Sequence, residues 1–327
     1  MRAKINPIIS VIIPFKKSSS YLSECLEALS HQSYTHFEII LLPDKKEKFI
    51  FSNAKVFVTG PIGPAEKRDI GVAKAKGEML AFIDDDAYPD KDWLANAKPY
   101  FQNPEISAVC GPGVTPGNDS ISQKAGGFVN SLWFGSGGAG TYRFIPKKKR
   151  YVDDFPSMNF IVRKTDFLKA GGFDTHFWPG EDTKLCHDLV YKLGKKIIYD
   201  PKVLVFHHRK ALFISHLRQI SGYAIHRGHF ARILPATSLK FGYLIPTFFV
   251  LFLISGLFIF SFLRQLLPIY LGIIILYLGL LTGNILYVMF KTGNILVSVY
   301  TGAGIVATHL VYGFLFPLGY LKKSLKQ

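Results

Sequence analysis

Carboxylates run out part-way along this chain. None of its 23 Asp and Glu residues lies beyond Asp200, although the sequence continues to Gln327. A uniform globule does not shed every acid over its last third, so the chain has two unlike halves. The 39 Lys and Arg leave a formal net charge of +16. Such an excess fits nucleic acid, an anionic membrane or an anionic substrate. Much of it sits in Lys147-Lys148-Lys149-Arg150 and between Arg209 and Arg232, beside a hydrophobic tail. That placement favours a membrane surface, where each basic residue near anionic lipid contributes about 1 kcal/mol. The plainer alternative, a solvated face plus positive-inside flanks, also implies a membrane. No base-stacking motif accompanies the charge, so a nucleic-acid partner is not expected.

Cysteine is scarce. Cys25, Cys110 and Cys186 are odd in number, far apart and without metal-ligand spacing. They read as thiols in a reducing compartment. A secretory leader is also missing ahead of the first strand, since residues 1–7 are short and polar. The N-terminal domain is therefore expected in the cytosol. No glycine-rich phosphate loop follows the first strand, where Pro14-Phe15-Lys16-Lys17 stand instead, which argues against a nucleotidyltransferase.

Long apolar runs are present. Residues 241–262, 266–290 and 295–321 are interrupted only by small or weakly polar residues, apart from His309 in the third. Each exceeds the roughly 20 residues that cross a bilayer. Three spans are expected, in a multi-pass protein of the cell membrane. The topology carries a conflict. With the N-terminal domain inside, three spans put the C-terminus outside, yet Lys322, Lys323 and Lys326 favour the inside. A hairpin or interfacial segment would resolve it, and Thr301-Gly302-Ala303-Gly304 marks a break in the third run. Residues 218–232 read as a basic amphipathic helix on the membrane surface. A chain ending near Arg232 is expected to be soluble or only peripherally bound.

The first half alternates strand and helix signals. Residues 8–13 (IISVII) form a continuous apolar, β-branched run, as in a strand buried on both faces of a parallel sheet; 37–42 (FEIILL) reads as a second strand and 79–83 (MLAFI) as another buried one. Val56-Phe57-Val58 reads as another strand. Leu22, Leu26 and Leu29 share one helix face behind capping serines at 18–20. Residues 65–76 read as a second helix. The fold class is α/β with a mostly parallel, Rossmann-like sheet, followed by an α-helical transmembrane region. Residues 111–140, rich in Gly and Ser, read as a long loop with short elements.

Ligands of such sheets bind at the carboxyl ends of the strands. Asp44 and Asp84-Asp85-Asp86 stand at such ends. Three adjacent carboxylates repel one another unless solvated or neutralised, and a divalent cation does this well. An acidic loop or helix cap is the plain alternative. Later, GGFDTHFWPGEDTKL at 171–185 sets Glu181-Asp182 at a helix start among aromatics. A carboxylate there is a general-base candidate, or simply complements the helix dipole.

Taken in order, these segments resemble the inverting family 2 glycosyltransferases of GT-A fold. The likeness runs over roughly 8–210, through ISVIIPF, LSECLEALSHQSY, FEIILLPD, KRDIGVAKAKGEMLAFIDDDAYPDKDWL, SMNFIVRK, GGFD and GEDTKLCHDLVYKLGKKIIYDPKVLVFHH. The resemblance implies that Asp84 and Asp86 touch ribose and a metal-bound diphosphate. It implies that Asp182 is the base, with Glu181 beside it. Arg68 matches a basic position near the nucleotide, Asp44 an aspartate that reads the base, and His207 a histidine near the metal. Asp44, Arg68, Asp84 and Asp85 are thus donor-binding candidates, and Asp84, Asp86 and His207 metal candidates for Mn²⁺ or Mg²⁺. Pro43 replaces the first of the family's paired aspartates. The Gln-x-x-Arg-Trp signature of processive synthases is missing, which implies single sugar addition by a hexosyltransferase. The expected partners are a nucleotide-sugar donor, a lipid-linked or saccharide acceptor, and the membrane. The expected division is a GT-A domain at 7–232 and membrane helices at 241–321. A nucleotidyltransferase-like enzyme and a non-catalytic sugar-nucleotide-binding scaffold are the alternatives; the intact DDD and ED motifs argue against the scaffold.

Overall fold

The computed structural model describes residues 9–47, 54–138, 140–173, 177 and 179–325. In chain order its strands are β1 (Ile9–Pro14), β2 (Phe37–Leu42), β3 (Ala54–Val56), β4 (Met79–Ile83), β5 (Ala87–Pro89), β6 (Ile106–Cys110), β7 (Gly113–Val114), β8 (Arg150–Val152), β9 (Asn159–Arg163), β10 (Lys196–Tyr199) and β11 (Val205–His207). The helices are α1 (Ser20–Ser30), α2 (Pro64–Lys74), α3 (Trp93–Ala97), α4 (Ile121–Ser131), α5 (Trp133–Ser136), α6 (Lys164–Lys169), α7 (Glu181–His187), α8 (Ile214–Ile233), α9 (Pro235–Ser238), α10 (Phe241–Phe262), α11 (Leu267–Thr292) and α12 (Ile295–Leu321). Two compact units form. Residues up to 114 join 145–207, and residues 115–144 join those from 208 onward.

The first unit is an α/β domain. Its large sheet has the order β3-β2-β1-β4-β9-β6-β10-β8. β1 lies parallel to β2 and β4, starting from the pairs Ile9 with Phe37 and Ile9 with Met79. Every residue of β1 and β4 is buried, as their unbroken apolar runs require. β9 runs antiparallel to both β4 and β6, which the sequence pattern does not distinguish from parallel pairing. The α1 face carrying Leu22, Leu26 and Leu29 is buried, and the Ser19 hydroxyl accepts from the Leu22 amide as its cap. The third strand signal falls two residues early, at Ala54–Val56, paired parallel to β2. A second, three-stranded sheet sets β11 between β5 and β7.

The second unit is helical. α10, the segment Arg264–Thr292 and α12 are long and apolar enough to cross a membrane. α12 is the inner one, 44% of its apolar window being buried against 11% and 6% in the other two. It is continuous from Ile295 to Leu321, so the expected break at 301–304 is absent. Glycine there serves close approach instead. A Cβ on Gly302 would overlap Ile285 of α11, one on Gly304 would press Val129 of α4 at 2.8 Å, and one on Gly313 would overlap the Pro246 carbonyl of α10. Small residues at such contacts let helix backbones approach without a hydrophobic driving force.

The reading of 111–140 as loop is also corrected. Residues 121–131 form α4, closed by a capping box in which Ser120 and Gln123 satisfy each other's backbone amides. Ala125 and Val129 of α4 pack into one apolar cluster with Leu212, Val288, Val297 and Ile305. Nor is α8 a helix lying free on a surface. His216, Ile220, Ala224 and Gly228 form a buried stripe at four-residue spacing. Gly228 and Gly319 bring the α8 and α12 backbones together, since a Cβ on either would overlap a carbonyl oxygen of the other helix.

Candidate active site

β1, β2 and β4 are parallel, so their carboxyl ends share one edge of the sheet. Asp44 follows β2 and Asp84 follows β4 at that edge. Between them the buried Lys67 of α2 donates to the Phe15 carbonyl at 2.6 Å and the Leu42 carbonyl at 3.2 Å, and pairs with the Asp44 carboxylate. One ammonium thus fastens the ends of β1 and β2 and holds Asp44 in place. A buried ammonium without such partners is very costly.

The adjacent Arg68 is buried as well. Its guanidinium donates to Asp84 Oδ1 at 2.6 Å and to Glu181 Oε1 at 3.2 Å, and lies over the Phe173 ring. Arg68 therefore links the strand-end triplet to the start of α7. Glu181 is itself buried and also accepts from the Gly180 amide at 2.9 Å. Asp182 is more open. Its carboxylate accepts from the Thr183 amide at 2.8 Å and the Ser157 amide at 3.3 Å. Ser157 is at hand because β9 runs antiparallel to β4, with Asn159 opposite Ile83 at that same edge.

The other partner of the triplet arrives through the small sheet. β11 pairs antiparallel with β5, setting His207 opposite Ala87, one residue past Asp86. His207 Nε2 is 3.1 Å from Asp86 Oδ1. Asp84, Asp86 and His207 each offer a ligand atom within 4.8 Å of the others. Adjacent ligands 2.0–2.1 Å from an octahedral ion stand about 3 Å apart, as His207 Nε2 and Asp86 Oδ1 do, and two carboxylates with an imidazole are donor types a divalent cation takes. Asp85 stands outside the group. Its charge instead adds to the burial that pushes the Cys25 thiol far above the ordinary range.

The sequence profile of glycosyl transferase family 2 matches residues 10–168. The chain carries a glycosyltransferase family 2 domain. The match takes in Asp44, Arg68 and Asp84 to Asp86 and ends before Glu181, Asp182 and His207. Two named relatives are glycosyltransferases. A pre-mycofactocin glycosyltransferase of Mycobacterium tuberculosis is 26% identical over 216 residues, 62% of this chain and 43% of that one. A Methanococcus voltae enzyme named dolichyl N-acetyl-α-D-glucosaminyl phosphate 3-β-D-2,3-diacetamido-2,3-dideoxy-β-D-glucuronosyltransferase is 22% identical, over 67% of this chain and 73% of its own. The alignment thus spans less than half of the first relative. Among solved structures, the mannosyltransferase PcManGT from Pyrobaculum calidifontis, in complex with GDP-Man and Mn²⁺, superposes with a TM-score of 0.53 at 16% identity, covering 93% of this chain and 86% of that one. The fold of the family 2 domain is GT-A.

Several residues that build this family 2 site carry no isolated sequence signal. Lys67 reads as one more surface lysine beside Arg68. Asn159 lies in the apolar run of β9, yet is fully buried. Its amide donates to the Gly111 carbonyl at 2.7 Å and the Val203 carbonyl at 2.8 Å, and its oxygen accepts from Trp93 Nε1 at 2.8 Å. Gln32 ties the chain after α1 to the Asp90 carbonyl at 2.7 Å, steadying the segment that follows β5. Each is polar, and only burial among partners that folding brings together gives it a role. Asp174, a further carboxylate ahead of α7, lies outside the described residues.

Proposed function

We propose that this chain transfers a single sugar from a nucleotide-sugar donor to a lipid-linked or other membrane-proximal acceptor, using a divalent cation and inverting the anomeric carbon. The observation that carries the reading is the approach of Asp84, Asp86 and His207, joined through Arg68 to the helix start that bears Glu181 and Asp182. In this reading Asp84, Asp86 and His207 hold the cation. Two carboxylates with one imidazole suit Mn²⁺ better than Mg²⁺, which favours oxygen alone. When bound, the cation neutralises charge on the departing diphosphate.

The remaining roles fall to the chain's own residues. Asp182, half-exposed and held by two backbone amides, takes the proton from the acceptor hydroxyl as that oxygen attacks. Attack from the face opposite the diphosphate gives a β product from an α-linked donor. Glu181, committed to Arg68 and to the Gly180 amide, fixes the start of α7 instead of moving a proton. Asp44, steadied by Lys67, faces the nucleobase end of the donor, with Asp84, Asp85 and Arg68 nearer the ribose and phosphates. Three helices of spanning length and a relative named for a dolichyl-phosphate-linked substrate support a lipid acceptor and a membrane protein, which this reading makes multi-pass with the family 2 domain in the cytosol.

The test is a panel of radiolabelled nucleotide sugars offered to full-length protein with Mn²⁺ and a membrane-lipid extract. One donor is expected to pass label into the lipid phase, with the anomeric configuration reversed in the product and activity lost to a chelator. Label that reaches lipid equally in chelator, or with configuration retained, contradicts the metal or the inverting part respectively. No transfer from any donor, with nucleotide-sugar binding intact, favours the scaffold reading.

A further inference from the structure

A second basic site lies in the helical unit, and it does not depend on the catalytic reading. Where α12 ends, a cavity of about 440 Å³ opens against α8, lined by Gly222, Ile225, His226, Lys322, Lys323 and Ser324, with Leu325 at its edge. Its floor is rigid. A Cβ on Gly228 would overlap the Phe316 carbonyl, and one on Gly319 the Ile225 carbonyl, so the two backbones touch beside the cavity. The chain leaving α12 is pinned, because His229 Nδ1 donates to the Lys322 carbonyl at 3.0 Å and Arg232 donates to the same oxygen. Those bonds fix the main chain from which Lys322 and Lys323 extend.

The charge around the cavity is one-sided. Two ammonium groups and an imidazole line it, and no residue after Asp200 is acidic. The wall at Gly222 is open, with nothing within 4 Å of where a Cβ would stand. The cavity sits at the end of a 27-residue apolar helix, the level at which a bilayer presents its headgroups.

We propose that this cavity binds the phosphate of an anionic membrane-lipid headgroup, held by Lys322 and Lys323, with the Ser324 hydroxyl as a further donor. Its volume falls in the range of about 300–1,000 Å³ usual for small-molecule sites. Basic pockets at the ends of membrane helices bind lipid phosphates through this chemistry. The rigid α8–α12 contact distinguishes it from a diffuse basic flank. A flank depends on charge alone, whereas a pocket also depends on the space beside Gly222.

Full-length protein in a zwitterionic detergent is titrated with short-chain phosphatidylglycerol, short-chain phosphatidylcholine and inorganic phosphate, following binding by native mass spectrometry and thermal shift. Phosphatidylglycerol is expected to bind saturably at least tenfold tighter than phosphatidylcholine, and inorganic phosphate to compete only at more than tenfold higher concentration. The Lys322→Gln/Lys323→Gln pair should weaken phosphatidylglycerol at least tenfold. Gly222→Phe, which changes no charge and fills the cavity, should do the same without lowering the melting temperature in detergent alone. Equal binding of the two lipids, or unchanged binding by the filled variant, overturns the pocket. Competition by inorganic phosphate at equal affinity overturns the lipid as its occupant.

Discussion

At Arg68 two carboxylates from distant parts of the chain meet one buried guanidinium, Asp84 at 2.6 Å and Glu181 at 3.2 Å. Removing the cation leaves Glu181 charged and buried, a change that costs about 3–5 kcal/mol. Arg68→Met should therefore lower the melting temperature markedly, and adding Glu181→Gln should restore much of it without restoring donor affinity. If the double variant is no more stable than the single one, Arg68 acts on something other than the pair. Asp182 gives a separate test. Asp182→Asn should leave donor Kd nearly unchanged and cut kcat by about 10²–10⁴-fold, the usual worth of a general base. As Asn is itself a good helix cap, a purely capping Asp182 predicts turnover within about threefold of the parent. At this scale the sequence was legible in the acids that follow its strands, Asp44 after β2 and Asp84 to Asp86 after β4, which the structure brings to one edge of the sheet. It was illegible for Lys67 and Asn159, whose importance comes from burial among carbonyls that adjoin only after folding.

Among the elements, β1, β2 and β4 were readable because strands buried on both faces need unbroken apolar runs. The direction of β9 was not, since an apolar strand looks alike in either orientation. α4 was missed because its sequence, ISQKAGGFVNS, carries two glycines, each worth about 1 kcal/mol against a helix. Its capping box and its packing on α12 override that penalty. The contact of α8 with α12 makes two predictions. Gly228→Ala should destabilise the detergent-solubilised protein by about 1–3 kcal/mol through overpacking, while Gly222→Ala, with open space around it, should be neutral or slightly stabilising. Thermal unfolding of the two variants decides it, and equal shifts contradict the close approach. The same contact is sensitive to acid. His216 is buried against Thr308, its ring 3.0 Å from the hydroxyl, and burial pushes its pKa down to about 4. The folded chain keeps this ring neutral while the unfolded chain protonates it near pH 6.5, so its contribution is whole above that value. Stability should fall as pH drops from about 6.5 towards 4. His216→Gln, which cannot titrate, should flatten that fall in melting temperature; an unchanged slope contradicts the assignment.

For the whole molecule, the described residues from 208 onward form a helical unit that also claims residues 115–144. That changes what truncation should do. Ending the chain near Arg232 removes α12 and strips cover from Ala125, Val129, Leu212 and Ile220. The shortened protein should aggregate or cling to detergent instead of being soluble, and size-exclusion chromatography without detergent reads the difference. Three apolar helices predict that the full-length protein stays with membranes through a carbonate wash. In the proposed mechanism Asp84, Asp86 and His207 form one cation-dependent site for a sugar nucleotide's diphosphate. Calorimetric titration of nucleoside diphosphate into full-length protein, with and without Mn²⁺, tests it most directly. Binding should require Mn²⁺ in the parent and weaken at least a hundredfold in Asp86→Ala. Equal affinity with and without Mn²⁺, or Mn²⁺-dependent binding unchanged in Asp86→Ala, would contradict it.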